Sequence, residues 1–455
     1  MPLIRSISGL RATLGDSLTA GVIVDYINAL VKIIPQGTVV LGRDGRPSGK
    51  WIEKIVAGTL QSAGLTVISL GIVPTPTVQL LTESSKSVCG IAITASHNPE
   101  IWNGLKFINS SGVFFDEKEN QVLTNALENP SNTFEQIVNP PDIMPVVNCI
   151  DIHTSKVLEL PIFKNKNFFK QCESRKLKVV VDAVNCSGSE FIPALLKHFK
   201  CEVIKLHCDG SGVFPHIPEP LPENLTSLSE AVKRFDADLG IAVDPDADRL
   251  VLIDENGEPI SEEKTIALAT DAVFLSKAFA NGSNNVVINY STTRLVEDIA
   301  QKYGAKAFRS PVGEINVVKK MKDVDAIIGG EGSGGVILPA CHYGRDSLVG
   351  TALVLYLLIK RKCNISKIIA EYPKYSMLKK KMNFLGDFDI LKEKIAKSSP
   401  DATISYEDGI HLSFSDHWIH IRKSNTEPII RLIVEAPTQN QSEQLSNKYF
   451  KLVSE

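Results

Sequence analysis

Cys89-Gly90-Ile91-Ala92-Ile93-Thr94-Ala95-Ser96-His97-Asn98-Pro99 is the stretch on which the reading of this chain turns. Its first five residues are an apolar run of strand length and read as a buried strand. The run then opens into small polar residues and stops at a proline. That leaves the Ser96 hydroxyl on a loop at a strand end, with the His97 imidazole beside it, and loops held by a rigid sheet are where reacting groups usually sit. Taken alone, the six residues from Thr94 read more simply as a polar turn with Ser96 and Asn98 bonding the backbone. Three other stretches of the chain change that balance.

Outward from this loop, strands and helices alternate. Residues 39–42 read as a strand running into Arg43-Asp44-Gly45-Arg46-Pro47-Ser48-Gly49, a loop with two arginines. A helix over 50–62 and a strand over 66–70 follow, then the rigid turn Gly71-Ile72-Val73-Pro74-Thr75-Pro76-Thr77, which opens another helix. Residues 103–108 read as a turn and strand that bring Lys106 back. Ser8-Gly9-Leu10-Arg11-Ala12 precedes an amphipathic helix over 16–34. Residues 129–160, rich in Pro and Asn, read as mixed loop and linking helix. A second unit has strands at 177–182, 201–206, 239–243 and 250–254, with a helix at 189–198. A third has a helix from 262, a strand over 285–290, Ser291-Thr292-Thr293 as the cap of a helix to about 303, and a long apolar helix after Asp346. Beyond 371, short alternating strands at 404–407, 411–415, 418–422 and 431–435 and helices at 387–398 and 441–453 read as a smaller α+β unit. The pattern predicts α/β domains with mostly parallel sheets, divided at 1–155, 156–258, 259–370 and 371–455.

Composition bounds the function. A chain of 455 residues is too long for one core, and three or four domains are expected. Hydrophobic residues at 43% and charged residues at 22% are ordinary for a globular protein. A net charge of −3 gives no basic field for nucleic acid. No apolar run approaches the ~18 residues of a membrane span, and the N-terminus lacks a signal-peptide pattern, so a cytoplasmic enzyme is expected. The eight cysteines are scattered without a Cys-x-x-Cys pair and read as buried thiols.

Asp244-Pro245-Asp246-Ala247-Asp248-Arg249 follows an apolar strand with three alternating carboxylates. Such carboxylates repel unless a cation offsets them, and oxygen ligands favour a hard ion, Mg²⁺ first. A calcium EF-hand loop fails because Arg249 stands where glycine is required and a strand follows. Arg422 and Arg431 flank Ser424-Asn425-Thr426-Glu427-Pro428, a set of guanidinium, amide and hydroxyl groups suited to a phosphate dianion. Glu331-Gly332-Ser333-Gly334-Gly335 couples an acid and a hydroxyl to glycines that let a ligand approach the backbone; Glu331 can accept hydrogen bonds from sugar hydroxyls. His97, Lys106 and Arg11 are candidates for moving or stabilising protons near Ser96. The chain has no Walker-type phosphate loop, which argues against a nucleotide donor.

In this order, the four loops resemble those of the α-D-phosphohexomutase superfamily, the phosphoglucomutases, phosphomannomutases and phosphoglucosamine mutases. Residues 94–99 resemble its phosphoserine loop, 244–249 its metal loop, 331–335 its sugar loop and 422–431 its phosphate loop. The resemblance implies three similar α/β domains with mixed sheets and a C-terminal α+β domain resembling the TATA-binding-protein fold, around a central cleft. It implies that Ser96 carries a phosphoryl group and that Mg²⁺ is held by Asp244, Asp246, Asp248 and a phosphate oxygen on Ser96. His97, Lys106 and Arg11 would serve the transfer. Arg249, Glu331, Ser333, Arg422, Ser424, Asn425, Thr426 and Arg431 would bind substrate. The partners implied are small-molecule hexose phosphates, with hexose 1,6-bisphosphate as activator and intermediate and the protein a monomer or homodimer; no nucleic acid or membrane is implied. Departures fall on Ala12, on Lys423, where proline is common, and on Gly335, where the sugar loop usually has histidine; His342 is the nearest candidate to replace it. The wording of the Glu331 loop, with Leu338-Pro339 and His342-Tyr343-Gly344-Arg345-Asp346 after it, is similar to that of bacterial phosphoglucosamine mutases. Glucosamine phosphate is therefore the expected substrate and a broad glucose and mannose phosphate mutase the alternative, ahead of a phosphohydrolase or a non-catalytic sugar-phosphate-binding protein.

Overall fold

The strand Cys89–Ile93 is buried at all five residues, as a strand covered on both faces must be. It pairs in parallel with Thr38–Arg43 and antiparallel with Trp102–Asn109. These strands belong to a seven-stranded mixed sheet, in the order Ile4–Ser6, Gly9–Thr13, Trp102–Asn109, Cys89–Ile93, Thr38–Arg43, Thr66–Ile72, Ile143–Pro145. This computed structural model describes residues 3–6, 9–129, 137–279, 282–423 and 429–454.

Two further mixed sheets repeat one plan. In the second, Leu239–Val243 runs parallel to Lys178–Asp182 and antiparallel to Leu250–Ile253. In the third, Ala326–Glu331 runs parallel to Asn285–Asn289 and antiparallel to Gly335–Leu338. In all three sheets a buried parallel strand turns back on an antiparallel neighbour. The turns are the Ser96 loop, the aspartate loop and the Glu331 loop. Three stretches unlike in composition therefore occupy equivalent places.

The fourth sheet is antiparallel throughout, in the order Ser376–Asn383, Ile429–Ala436, Trp418–Lys423, Ile410–Ser413, Thr403–Ser405. It is accompanied by the helices Phe388–Lys397 and Gln439–Ser454. Its apolar core, from Met382 to Val453, is a cluster of its own. The first three sheets, by contrast, share one continuous core running from Val40 through Val179 and Ile266 to Tyr372. Polar contacts join the fourth unit to the third: the Arg294 amide donates to Glu435 at 2.8 Å, and Lys379 Nζ donates to Glu262 at 3.0 Å and Glu263 at 2.8 Å. No helix among the described residues is long and apolar enough to cross a membrane.

Several elements differ from the sequence reading. Gly9–Thr13, read as a lead-in to a helix, is a strand beside Trp102–Asn109. Of residues 291–293, Thr293 does serve the next helix, its Oγ1 accepting from the Leu295 amide at 3.2 Å, although the N-cap position itself is Arg294. Thr292 bonds Asn289 and the Gly332 amide, and the helix runs over Leu295–Lys302. The strand Ser376–Asn383 was not expected, because Lys379-Lys380-Lys381 breaks apolar alternation. It lies on a sheet edge, where lysines discourage pairing with another chain.

Candidate active site

Ser96 sits in the left-handed backbone region, φ 51°, and is 1% exposed. A non-glycine residue there is held by its surroundings. Its amide donates to Thr94 Oγ1 at 2.8 Å, and Thr94 Oγ1 donates to Asp44 Oδ2 at 2.6 Å. The fully buried Arg46 pairs with Asp44 and donates to the carbonyls of Ser96 at 2.7 Å and Asn98 at 2.6 Å. The loop that read only as carrying two arginines is thus the clamp on the Ser96 loop. Nothing in the local sequence distinguishes Arg46 from a surface arginine, since its partners are distant in the chain: the Ser96 and Asn98 carbonyls and the Phe214 ring, 5.0 Å from its guanidinium.

Ser96 Oγ donates to Asp244 Oδ2 at 3.0 Å, across 148 residues of chain. Asp244, Asp246 and Asp248 are each no more than 1% exposed, and their carboxylate oxygens lie within 4.8 Å of one another. Their loop is gripped by all three α/β sheets' connections. Thr75 donates to Asp246 Oδ2 at 2.7 Å, Ser187 to the Pro245 carbonyl at 2.8 Å and Ser347 to the Ala247 carbonyl at 2.6 Å. Lys106 Nζ donates to Asp246 Oδ2 at 2.6 Å and lies 3.4 Å from Asp248 Oδ2.

These donors leave the loop short of positive charge. Asp246 Oδ1 and Asp248 Oδ1 are buried without a hydrogen-bond partner among the described residues. Burial, and then the charges of Asp246 and Asp248, push the Asp244 carboxyl well above the usual carboxylate range. Orphaned oxygens on a hard, all-oxygen donor set fit a divalent cation of the magnesium class.

Around this centre the other expected residues converge. His97 Nδ1 is 3.3 Å from Ser96 Oγ. The charge of Arg249, then burial, pushes His97 down to about 2, so the imidazole is neutral. Arg11 donates to Asn98 Oδ1 at 3.2 Å. Arg249 Nε is 3.9 Å from both Asp244 and Asp248 and has no hydrogen-bond partner. Glu331 accepts from Asn289 Nδ2 at 2.9 Å, the Gly313 amide at 3.0 Å and Arg345 at 2.6 Å. His97, Arg11, Arg249 and Glu331, with Ser333, Arg422 and Arg431, line one cavity of about 820 Å³ to which all four units contribute, while Ser96 and the aspartates lie behind its lining. Ser424, Asn425 and Thr426 lie outside the described residues.

Two contributors to the site were missed. Arg345 is not among the residues expected at the site, yet it is buried and joins Asp248 at 2.6 Å, Glu331 at 2.6 Å and Glu314 at 3.0 Å. It ties the aspartate loop to the Glu331 loop. Lys381 stands opposite Arg431, which stands opposite Arg422, so three cations lie in a row across three strands. Like charges directly opposite destabilise a sheet; Asp408, 3.4 Å from Arg422, offsets part of this, and an anion in the cavity the row lines would offset more.

His342 does not replace the missing histidine. It is 3% exposed, donates from Nε2 to Asp346 Oδ2 at 3.0 Å, and does not line the cavity. Gly335 has a steric reason instead: a Cβ there would lie 2.3 Å from Arg345 Cδ. Gly335→Ala is expected to destabilise the protein by about 1–3 kcal/mol through overpacking, read as a lower urea midpoint. An unchanged midpoint would refute this account of the glycine.

The architecture and the loops define a four-domain phosphohexomutase. Family models for domains I, II and III and the C-terminal domain of phosphoglucomutase/phosphomannomutase match residues 4–133, 160–257, 261–375 and 388–451 in turn. A "Phosphoglucomutase/phosphomannomutase" of Thermococcus kodakarensis is 34% identical, over 92% of this chain and 90% of its own. A "Probable phosphoglucosamine mutase" of Methanosphaera stadtmanae is 32% identical over 99% and 98%. The crystal structure of a phosphoglucomutase/phosphomannomutase family protein from Burkholderia thailandensis superimposes with a TM-score of 0.83 at 25% identity, covering 99% of this chain and 96% of that one. This chain belongs to the phosphoglucomutase/phosphomannomutase family and is an isomerase of the phosphohexomutase type.

Proposed function

We propose that this enzyme interconverts hexose 6-phosphate and hexose 1-phosphate by intramolecular phosphotransfer through a phosphoserine at Ser96 and a 1,6-bisphosphate. The reading rests chiefly on one observation: Ser96 Oγ is bonded to Asp244 at 3.0 Å beside a cavity lined by cations from all four sheets' units. Asp244, Asp246 and Asp248, with phosphorylated Ser96 beside them, would hold a divalent cation, which would supply positive charge to offset that of the transferring phosphoryl group.

The chain's own groups do the rest. The P–O bond to Ser96 breaks as the phosphorus bonds to a sugar hydroxyl, and Ser96 Oγ keeps the electron pair. Neutral His97, 3.3 Å from Oγ, takes the hydroxyl's proton in this scheme once a phosphate dianion offsets the Arg249 charge that otherwise holds its basicity down. Lys106, held between Asp246 and Asp248, balances charge, and Arg11 and Arg249 stabilise it on the equatorial oxygens. The row Lys381, Arg431 and Arg422 holds the phosphate that is not reacting, whichever end of the sugar bears it. Glu331 and Ser333 meet the sugar hydroxyls. The bisphosphate turns over within the cleft and returns its other phosphate to Ser96, and added bisphosphate primes an unphosphorylated enzyme. The separate core of the fourth unit supports closure of that unit over the sugar. The divisions at 1–155, 156–258, 259–370 and 371–455 are the mobile and static parts of this scheme.

Glucosamine phosphate is the proposed substrate, on the wording of the Glu331 loop and the name of the Methanosphaera relative. The name of the Thermococcus relative favours a second reading, a broad glucose and mannose phosphate mutase. Coupled assays with Mg²⁺ and trace hexose 1,6-bisphosphate should give a kcat/KM for glucosamine phosphate at least ~10-fold above those for glucose and mannose phosphates, as a site hydrogen-bonding a distinguishing polar group can deliver. Comparable values on all three sugars would establish the second reading instead.

A further inference from the structure

The second sheet carries another cluster of ligand atoms, apart from the three aspartates. Asp182 ends the strand Lys178–Asp182, His207 ends its neighbour Glu202–His207, and His216 comes from the loop that follows. His207 Nδ1 lies 2.8 Å and His216 Nε2 2.9 Å from the same oxygen, Asp182 Oδ2. All three ligand atoms fall within 4.8 Å of one another. Asp182 is buried, whereas the histidine side chains are 22% and 17% exposed, so an ion can enter and water can complete its coordination.

The tautomer of His216 is decided by its other nitrogen. Nδ1 lies 2.8 Å from the Ile217 carbonyl oxygen. A carbonyl has no proton to give, so Nδ1 carries one and donates it. Nε2 faces the Asp182 carboxylate, also an acceptor, so in the metal-free protein it donates its own proton there, and a bound ion takes the place of that proton on the Nε2 lone pair. This Nδ1–H to carbonyl bond is how metal-bound histidines are commonly oriented. The other Asp182 oxygen accepts from the Val184 amide at 3.0 Å, fixing the carboxylate in the same way.

We propose that Asp182, His207 and His216 form a site for a zinc-class divalent ion, separate from the catalytic aspartates. Two imidazoles and a carboxylate suit zinc, whereas the all-oxygen aspartate loop suits magnesium. Ligand bonds of 2.0–2.2 Å at tetrahedral angles require ligand atoms about 3.3 Å apart, so binding lengthens each histidine–Asp182 distance by about half an ångström. His216 allows this because it sits on a loop. The same loop presses Phe214 on Arg46 and brings Glu219 to 3.7 Å from His97. An ion here would pin to the sheet the loop that borders Ser96.

Cobalt(II) is the probe, titrated into metal-stripped full-length enzyme with Mg²⁺ saturating the aspartate loop. Equilibrium dialysis should find one cobalt per chain, with the visible absorption of a low-coordinate nitrogen-ligated ion. His216→Asn and His207→Gln should each weaken binding at least ~10-fold, while Asp246→Asn retains it. Metal-free melting curves of both histidine variants identify any that misfolds, and the other then carries the test. No cobalt uptake in the presence of Mg²⁺, or uptake lost in Asp246→Asn and kept in the folded histidine variants, would overturn the assignment.

Discussion

Ser96→Ala is expected to lower mutase turnover on the order of 10⁴-fold or more, the scale on which enzymes lose activity with their nucleophile. The hydroxyl is the acceptor and donor of the phosphoryl group in the proposed cycle, and no other hydroxyl is placed against Asp244 among the described hydrogen bonds. The loop itself should persist, because its clamp works through main-chain atoms: Arg46 bonds the carbonyls of residues 96 and 98, and Thr94 bonds the residue 96 amide. Binding of hexose phosphate, measured by calorimetry, should therefore change little while turnover disappears. Incubation of the wild-type protein with labelled hexose 1,6-bisphosphate should place one phosphate per chain on Ser96, and the variant should take none. Turnover of Ser96→Ala within tenfold of wild type would end the phosphoserine mechanism.

The second large effect is expected at Arg345. Its guanidinium meets Asp248, Glu331 and Glu314 from three sides. These charges raise its pKa well above the ordinary arginine value against the opposing effect of burial. Arg345→Met keeps much of the volume and leaves buried carboxylates without their cation. Removing one partner of such a pair costs about 3–5 kcal/mol. The loss should appear as a lower urea midpoint together with weakened Mg²⁺ dependence and a raised KM, because the aspartate loop and the Glu331 loop are then no longer tied. Arg345→Lys should recover only part of it, since a single ammonium cannot span carboxylates that the planar fork reaches together. Loss of under 1 kcal/mol in Arg345→Met would show that the bridge does not hold the site.

How much of this was legible in the sequence depended on range. The strand Leu239–Val243 and the long helix Ser347–Arg361 follow from apolar runs with turn residues at their ends. Asp346 even caps that helix, accepting from the Leu348 and Val349 amides. The aspartate triplet and the Ser96 loop were readable because each packs its chemistry into a few successive residues. The edge strand Ser376–Asn383 was not, because its apolar alternation is interrupted by lysines that face the cleft or solvent.

By itself, the sequence determined the alternation of strands and helices and the residue types gathered in each loop, because those depend on periodicity and on residues adjacent in the chain. The tertiary structure alone decided which charges meet. Arg46 under the Ser96 loop, Arg345 between two loops, Lys381 beside Arg431 and the triad of Asp182, His207 and His216 each join residues brought together by packing. In a buried site the energy of a charge is set by the partners within a few ångströms. Sequence separation carries no information about those partners until the sheets have folded and packed.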